Sequence, residues 1–280
     1  MLVIEFLSIL FVVSIFAGIF GSIVGVGGGV VIIPVLTLLL GVDIHFAIGA
    51  SIVAIIGTSS GAASTYVKDK MTNLRVGMFL EVATTSGAIA GAAIAAYVNS
   101  ATLEAIFGAI LLVTLVPTVM KIGEDIPPSP ELKGLAKRLR LSGSYTEASG
   151  SVVSYNAARP DVGLFGMLVA GILSGLLGIG GGAFKVLSMD LAMKLPLKVS
   201  TTTSNFMIGV TAAASAGIYF LRGDVNPMIV APVALGILVG AGIGARLLVH
   251  SSNPTVRKVF ILVLAITAIE MILSALGVSV

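Results

Sequence analysis

The chain has 280 residues, of which 57% are hydrophobic and only 10% charged, with a net charge of +3 and a mean hydropathy of +1.12. A soluble domain carries about a quarter charged residues, so a surface this poor in charge is solvated by lipid. The weak net charge is no nucleic-acid footprint, and the lack of cysteine excludes disulfides and thiolate metal sites.

In chain order, the first apolar segment runs near 2–23. It is too long and unbroken for a secretory signal and lacks a basic leader, its only early charge being Glu5, so it reads as a retained transmembrane helix. Further apolar segments lie near 27–41, 46–66, 76–98 and 103–120, then near 162–178, 181–194, 199–221, 227–249 and 256–277. The second segment of each half spans 15 or 14 residues. At 1.5 Å per residue that is roughly 22 Å, short of a ~30 Å hydrocarbon core.

Between the halves, composition shifts to Pro, Ser, Lys and Arg, dividing the chain into a first repeat (1–122), a linker (123–160) and a second repeat (161–280). Within the linker, Glu131–Leu141 places Leu132, Leu135, Ala136 and Leu139 on one helical face with basic residues around it. That pattern predicts a short amphipathic helix on the anionic cytoplasmic leaflet. Ser142–Asn156 reads either as a small hairpin about Gly150 or as a disordered linker.

The halves align without a gap at an offset of 153 residues. Gly25-x-Gly27-Gly28-Gly29 falls on Gly178-x-Gly180-Gly181-Gly182, Ser51 on Ser204, Thr58 on Thr211 and Tyr66 on Tyr219. The register continues through Asn73/Asn226, Gly87/Gly240, Gly91/Gly244, Phe107/Phe260 and Thr114/Thr267. Five segments per half make the halves oppositely oriented. If every segment crosses, 14 of the 16 basic residues reach one side, Arg222 and Lys185 being the exceptions. The positive-inside rule then selects an all-α polytopic protein of ten crossings in two inverted five-segment repeats, with termini outside and the 123–160 loop cytoplasmic.

The glycine clusters, Gly27, Gly28, Gly29 and Gly180, Gly181, Gly182, open the short segments. A dinucleotide loop is excluded, since no soluble strand precedes them and no acidic residue follows at Gly49 or Thr202. They read either as sites of close helix crossing or as breaks at membrane depth. As breaks, they present two helix N-termini to an anion from opposite sides. Lys185 sits in the first turn after Gly182, opposite Ile32 of the first repeat. It reads as the anion's counter-charge or as one member of a structural pair, for which Asp190 is poorly placed on the same helix.

Among the intramembrane hydroxyls, Ser51, Thr58, Ser204 and Thr211, with Asn205, are candidate substrate contacts, although such side chains commonly bond back to their own helix. Glu81, Asp190 and Glu270 are candidates to carry a coupling proton, Glu81 and Glu270 lying toward segment ends. The small-xxx-small patterns Gly57/Gly61, Gly87/Gly91 and Gly240/Gly244 read as helix packing. No catalytic constellation or metal motif is present in the sequence, and no cofactor is expected.

The Ala17-Gly18-Ile19…Gly25-Val26-Gly27-Gly28-Gly29 stretch, its mate Ala170–Gly182, Val199–Ser204 and Gly240-x-x-x-Gly244-Ala245-Arg246 together resemble the sulfite exporter TauE/SafE family of anion permeases, once called domain of unknown function 81. The resemblance covers nearly the whole chain, the linker's Gly143-Ser144-Tyr145 included. Pro34, expected in both halves, is matched by Leu187 in the second. What it implies is a secondary transporter of the prokaryotic cytoplasmic membrane moving sulfite, a sulfonate such as sulfoacetate, or a related small anion. A cation-coupled carrier of a neutral metabolite and an ion channel are the alternatives. The first has less use for Lys185, and the second calls for a continuous polar lining.

Overall fold

The computed structural model describes residues 3–24, 27–68, 71–119, 131–146, 151–250 and 253–277, with side chains at all of these except 3, 24, 62–68, 117–118, 248–250, 253–260 and 263. Gly25, the side chains of Tyr66 and Phe260, and all of 120–130 lie outside that description.

The first half comprises α1 (Val3–Val24), α2 (Gly29–Pro34) running into a π-helical turn (Val35–Leu39), α3 (Ile44–Lys68), α4 (Leu74–Ala95) and α5 (Ser100–Val119). After α6 (Gly134–Arg138) and the strands β1 (Ser142–Thr146) and β2 (Val152–Asn156), the second half repeats the series. It has α7 (Pro160–Leu177), α8 (Gly182–Leu187) with its π turn (Ser188–Ala192), α9 (Leu197–Arg222), α10 (Pro227–His250) and α11 (Asn253–Ala275). Local chemistry sets the boundaries. The Asn73 side chain caps α4 by accepting from the Val76 amide at 3.0 Å, Pro160 opens α7 at a position that needs no donor, and left-handed glycines close α7 and α9.

Among the described residues, six helices, α1, α3, α4, α7, α9 and α10, are long and apolar enough to cross a membrane. The continuous helix Gly29–Leu39 is 11 residues, shorter than the 15 expected from the apolar run 27–41, and about 16 Å at the α-helical rise. Gly27 and Gly28 belong to the turn before it, and left-handed Gly41 (φ +62°) follows its end. Both halves carry the π turn, although Pro34 precedes it in one and Leu187 in the other. Proline is therefore not its cause.

The halves interlock reciprocally. The most extensive interfaces join α1 to α10 and α4 to α7, followed by α3 with α10, α5 with α11, α3 with α9 and α4 with α9. Gly87 and Gly91 of α4 lie against the carbonyls of Leu168 and Ile172 on α7, while Gly240 and Gly244 of α10 lie against those of Ile15 and Ile19 on α1. These partners differ by the same 153 positions as the glycines themselves. A side chain at any of the four would enter the facing backbone, so the small residues set the helix spacing. The contacts advance in the same direction along both members of each pair, so α1 runs parallel to α10 and α4 parallel to α7. Gly57 against Ala234 and Gly61 against Leu238 make α3 parallel to α10 as well. The core around this crossing is aliphatic, centred on Ile33, Ile48, Ile55, Ile208 and Ile237.

The hairpin docks at one end of the helices. Its strands pair antiparallel from Ser142↔Asn156 to Thr146↔Val152, and Tyr155 and Leu141 pack with Val76, Leu80, Met193 and Val199. Asn73 Nδ2 donates to the Tyr155 hydroxyl at 3.0 Å, Arg75 donates to the Arg140 carbonyl, and the Ala158 amide donates to that of Met193. Lys194 and Lys198 sit at this same end. The opposite end gathers the Asp43–His45–Ser100 cluster and the Arg222–Asp224 ion pair at 3.1 Å. The expected amphipathic helix over 131–141 is only Gly134–Arg138. Extended backbone at Lys133 and left-handed backbone at Arg140 bound it, and of its apolar face Ala136 is buried while Leu135 stands exposed.

Candidate functional site at the glycine breaks

The two glycine clusters meet midway along α3 and α9. Gly27 (φ +80°) and Gly180 (φ +75°) both rest on the same two side chains, Ile55 and Ile208, themselves 153 residues apart. A Cβ on Gly180 would approach Ile208 Cγ2 to 2.7 Å, and one on Gly27 would approach Ile55 Cγ1 to 3.3 Å. The left-handed backbone at both positions also disfavours any residue with a side chain. Gly29 touches the other break directly, since a Cβ there would lie 2.7 Å from the Gly178 carbonyl oxygen. Each break is followed at once by a helix whose first amides have no partner within that helix.

Hydroxyls from α3 and α9 tie the breaks down. Ser51 donates to the Gly178 carbonyl at 2.6 Å, across the two halves, and Ser204 donates to the Gly182 carbonyl at 3.3 Å. Asn205 donates through Nδ2 to the Ser22 carbonyl at the end of α1 at 3.0 Å, and its buried Oδ1 has no hydrogen-bond partner among the described residues. Tyr219 anchors α9 to α7 by donating to the Gly175 carbonyl at 2.6 Å.

One helical turn past the second break, Lys185 is wholly enclosed. Its Nζ donates to Thr211 Oγ1 at 2.6 Å, and that hydroxyl lies 2.7 Å from Glu81 Oε1 and 2.9 Å from the Met207 carbonyl. Thr85 also donates to Glu81 Oε1, at 3.0 Å, whereas Glu81 Oε2 is buried with no hydrogen-bond partner among the described residues. The relay thus joins α8, α9 and α4. A lysine and a glutamate bridged by one hydroxyl in an apolar interior neutralise each other, which is how charge is tolerated at such a place.

The relay bears on two residues. Glu81, toward the start of its apolar segment, is 6% exposed at the eighth position of α4. Lys185 meets a carboxylate there, by way of Thr211, while Asp190, poorly placed for Lys185 on the same helix, is buried in the adjoining π turn with a partner of its own. Of the remaining candidates, Thr58 bonds back to the Ala54 carbonyl at 3.3 Å and does not join the relay, and Glu270 is half-buried on α11. Gly28 and Gly181 form the turns immediately before α2 and α8. Sequence reasoning missed the relay as a unit and the Asn205 and Tyr219 anchors. A usable signal lay in the repeat itself: Lys185 faces Ile32 at the equivalent position, and Glu81 faces Ala234, so charge appears where its mate is apolar.

Comparison with known proteins points one way. The probable membrane transporter protein YunE of Bacillus subtilis is 28% identical over 268 residues, covering 93% of this chain and 94% of that protein. The probable membrane transporter protein YdhB of the same organism is 24% identical, over 82% of this chain and 85% of its own length. The probable membrane transporter protein MJ0441 of Methanocaldococcus jannaschii is 22% identical, over 95% and 96%. No solved structure matches. Residues 10–271 match the family described as Sulfite exporter TauE/SafE, and this multi-pass membrane protein belongs to that family.

Proposed function

We propose that the chain is a secondary transporter of the prokaryotic cytoplasmic membrane that moves a small anion, of the sulfite or sulfonate class, by alternating access of two inverted halves. The observation that carries this reading is the meeting of the two glycine breaks beside a fully buried lysine. Two helix starts and one ammonium supply N–H donors and positive charge at the middle of an apolar protein, and an anion is the ligand that such a place suits. The relatives' names as probable membrane transporters, and the family's as sulfite exporters, agree with it.

Helix directions support the inverted arrangement. With α1 and α3 both parallel to α10, the chain must return between them, so the broken segment at α2 counts as a pass. The same reasoning applies to α7, α8 and α9, since α7 and α9 both run with α4. With α5 and α11 taken as passes too, each half has five, an odd number, which favours inversion. The hairpin end, with Arg75, Arg140, Arg159, Lys194 and Lys198, is then cytoplasmic. Cysteines at exposed Tyr97 and Ser151 should label from opposite faces, Tyr97→Cys from outside, and labelling from one face would sink this topology.

The functional test is binding and proteoliposome uptake over sulfite, sulfonates, carboxylates and inorganic anions. Losing a desolvated charged hydrogen bond costs roughly 1.5–3 kcal/mol, so Lys185→Met should weaken anion affinity by about 10- to 150-fold. Lys185→Arg should retain part of it. A folded Lys185→Met protein with unchanged affinity and uptake would refute the assignment.

A further inference from the structure

We propose that Glu81 is a proton-binding residue of the transport cycle, tied through Thr211 to the charge on Lys185, so that a monoanion crosses together with one proton. This rests on the anion reading of Lys185 given above and adds the coupling ion to it.

The geometry makes Glu81 and an incoming anion rivals for one ammonium. Thr211 has a single hydroxyl proton. With Lys185 donating into its oxygen at 2.6 Å, that proton goes to Glu81 Oε1 at 2.7 Å or to the Met207 carbonyl at 2.9 Å. The ammonium and the carboxylate therefore sense each other through one polarised bridge, and the enclosed set is neutral overall. An anion that takes Lys185 as its counter-charge leaves Glu81 without one. The interior would then hold one positive and two negative charges, and Glu81 Oε2, already buried without a donor, would carry negative charge that nothing offsets. A proton on Glu81 restores neutrality. The count balances: lysinium and carboxylate before, and lysinium, anion and carboxylic acid after. The proton comes from the aqueous side on which the anion enters, and it leaves when the anion does and Lys185 returns to Thr211. No bond other than O–H forms or breaks.

Among the described residues, no other charged group is placed to substitute. On α4 itself, Arg75 lies six residues before Glu81, about 9 Å along the axis, and donates to the Arg140 carbonyl. On α9, Lys198 and Arg222 are 13 and 11 residues from Thr211, about 20 and 16 Å along the helix, and Arg222 pairs with Asp224. The Tyr219 hydroxyl is bonded to Gly175. Asp161 of α7 is exposed at its first turn, and Asp190, buried in the turn after α8, has its own partner. The positions related by the 153-residue offset offer no second proton site of this form, because Ile32, Thr58 and Ala234 occupy them.

The experiment uses the purified full chain in weakly buffered detergent solution with a pH-sensitive dye, titrated with methanesulfonate, ethanesulfonate and isethionate, monoanions whose sulfonate groups stay ionised. The wild type should take up about one proton per anion bound, and its affinity should tighten up to about tenfold for each pH unit lowered where Glu81 is ionised. Glu81→Gln, which imitates the neutral acid, should bind with a pH-independent affinity close to the wild type's low-pH value and take up no proton. Glu81→Asp keeps a titrating carboxyl and should restore uptake of the proton. Thr211→Val, which cuts the bridge but leaves both charges, should flatten the pH dependence. A purely structural pair would change unfolding in these variants without any change in proton stoichiometry. Wild-type anion binding without proton uptake, or Glu81→Gln with wild-type proton uptake, overturns the coupling while leaving the anion site standing. A wild type that binds none of these sulfonates, nor sulfite, overturns the anion reading itself.

Discussion

On one side of the central crossing, Lys185, Thr211 and Glu81 form a buried charged relay. On the other, the residues 153 positions away are Ile32, Thr58 and Ala234, and Thr58 merely bonds back to its own helix. Both sides share a glycine at positive φ resting on Ile55 and Ile208, a short helix and a π turn, although Gly28 is right-handed where Gly181 is left-handed. The two halves therefore share the scaffold and not the chemistry. The physical reason is cost. A lysine at membrane depth costs at least ~2.5–3.5 kcal/mol on insertion scales, and two lysines converging on one centre would repel each other. A single ammonium with a single carboxylate forms a neutral set.

The comparison breaks most readily at the shared scaffold. Gly180→Val and Gly27→Val each combine a left-handed backbone, a strain of roughly 1–3 kcal/mol, with a side chain driven into the Ile55–Ile208 contact. Both should abolish uptake while the protein still inserts. Normal transport by either would remove the crossing from the site.

A smaller and one-sided effect is expected at the relay. Lys185→Met leaves a buried carboxylate uncompensated and should destabilise by about 3–5 kcal/mol, part of it recovered in the double variant with Glu81→Gln. Ile32→Met, at the apolar mate, should cost less than about 1.5 kcal/mol and leave transport unchanged. Thermal unfolding in detergent measures both, and equal losses at 185 and 32 would erase the asymmetry.

Matched effects are expected at the packing glycines. Gly87→Ala and Gly240→Ala face the carbonyls of Leu168 and Ile15 in the same way, so each should lose about 1–3 kcal/mol and the two should agree closely. Divergent losses would mean the reciprocal interfaces are not equivalent in energy. The smallest effect belongs to Thr58→Val, which forfeits one bond within its own helix and should stay within about 1 kcal/mol, less than Thr211→Val, which leaves Lys185 and Glu81 without their shared bridge.

Much of the architecture was legible before any coordinates. The apolar runs, the offset of 153 and the short glycine-led segments all appear as helices, reciprocal contacts and breaks in the structure. Period and hydropathy are local properties, and lipid demands that each span close its own hydrogen bonds. The 123–160 region was less legible. Ser142–Asn156 has enough apolar residues for a hairpin only if something covers Tyr145 and Tyr155, and α4, α9 and the turn after α8 provide that cover.

By itself, then, the sequence determined that the chain lives in a bilayer, that it is doubled, and where its helices break, because composition, repetition and glycine act along the chain. The tertiary structure decided which charged residues meet. Lys185 and Glu81 are 104 positions apart on helices that touch only because α4, α8 and α9 pack together, with Thr211 between them at 2.6 and 2.7 Å. A charge buried in an apolar interior takes the opposite charge within reach, and reach is a property of the packed fold.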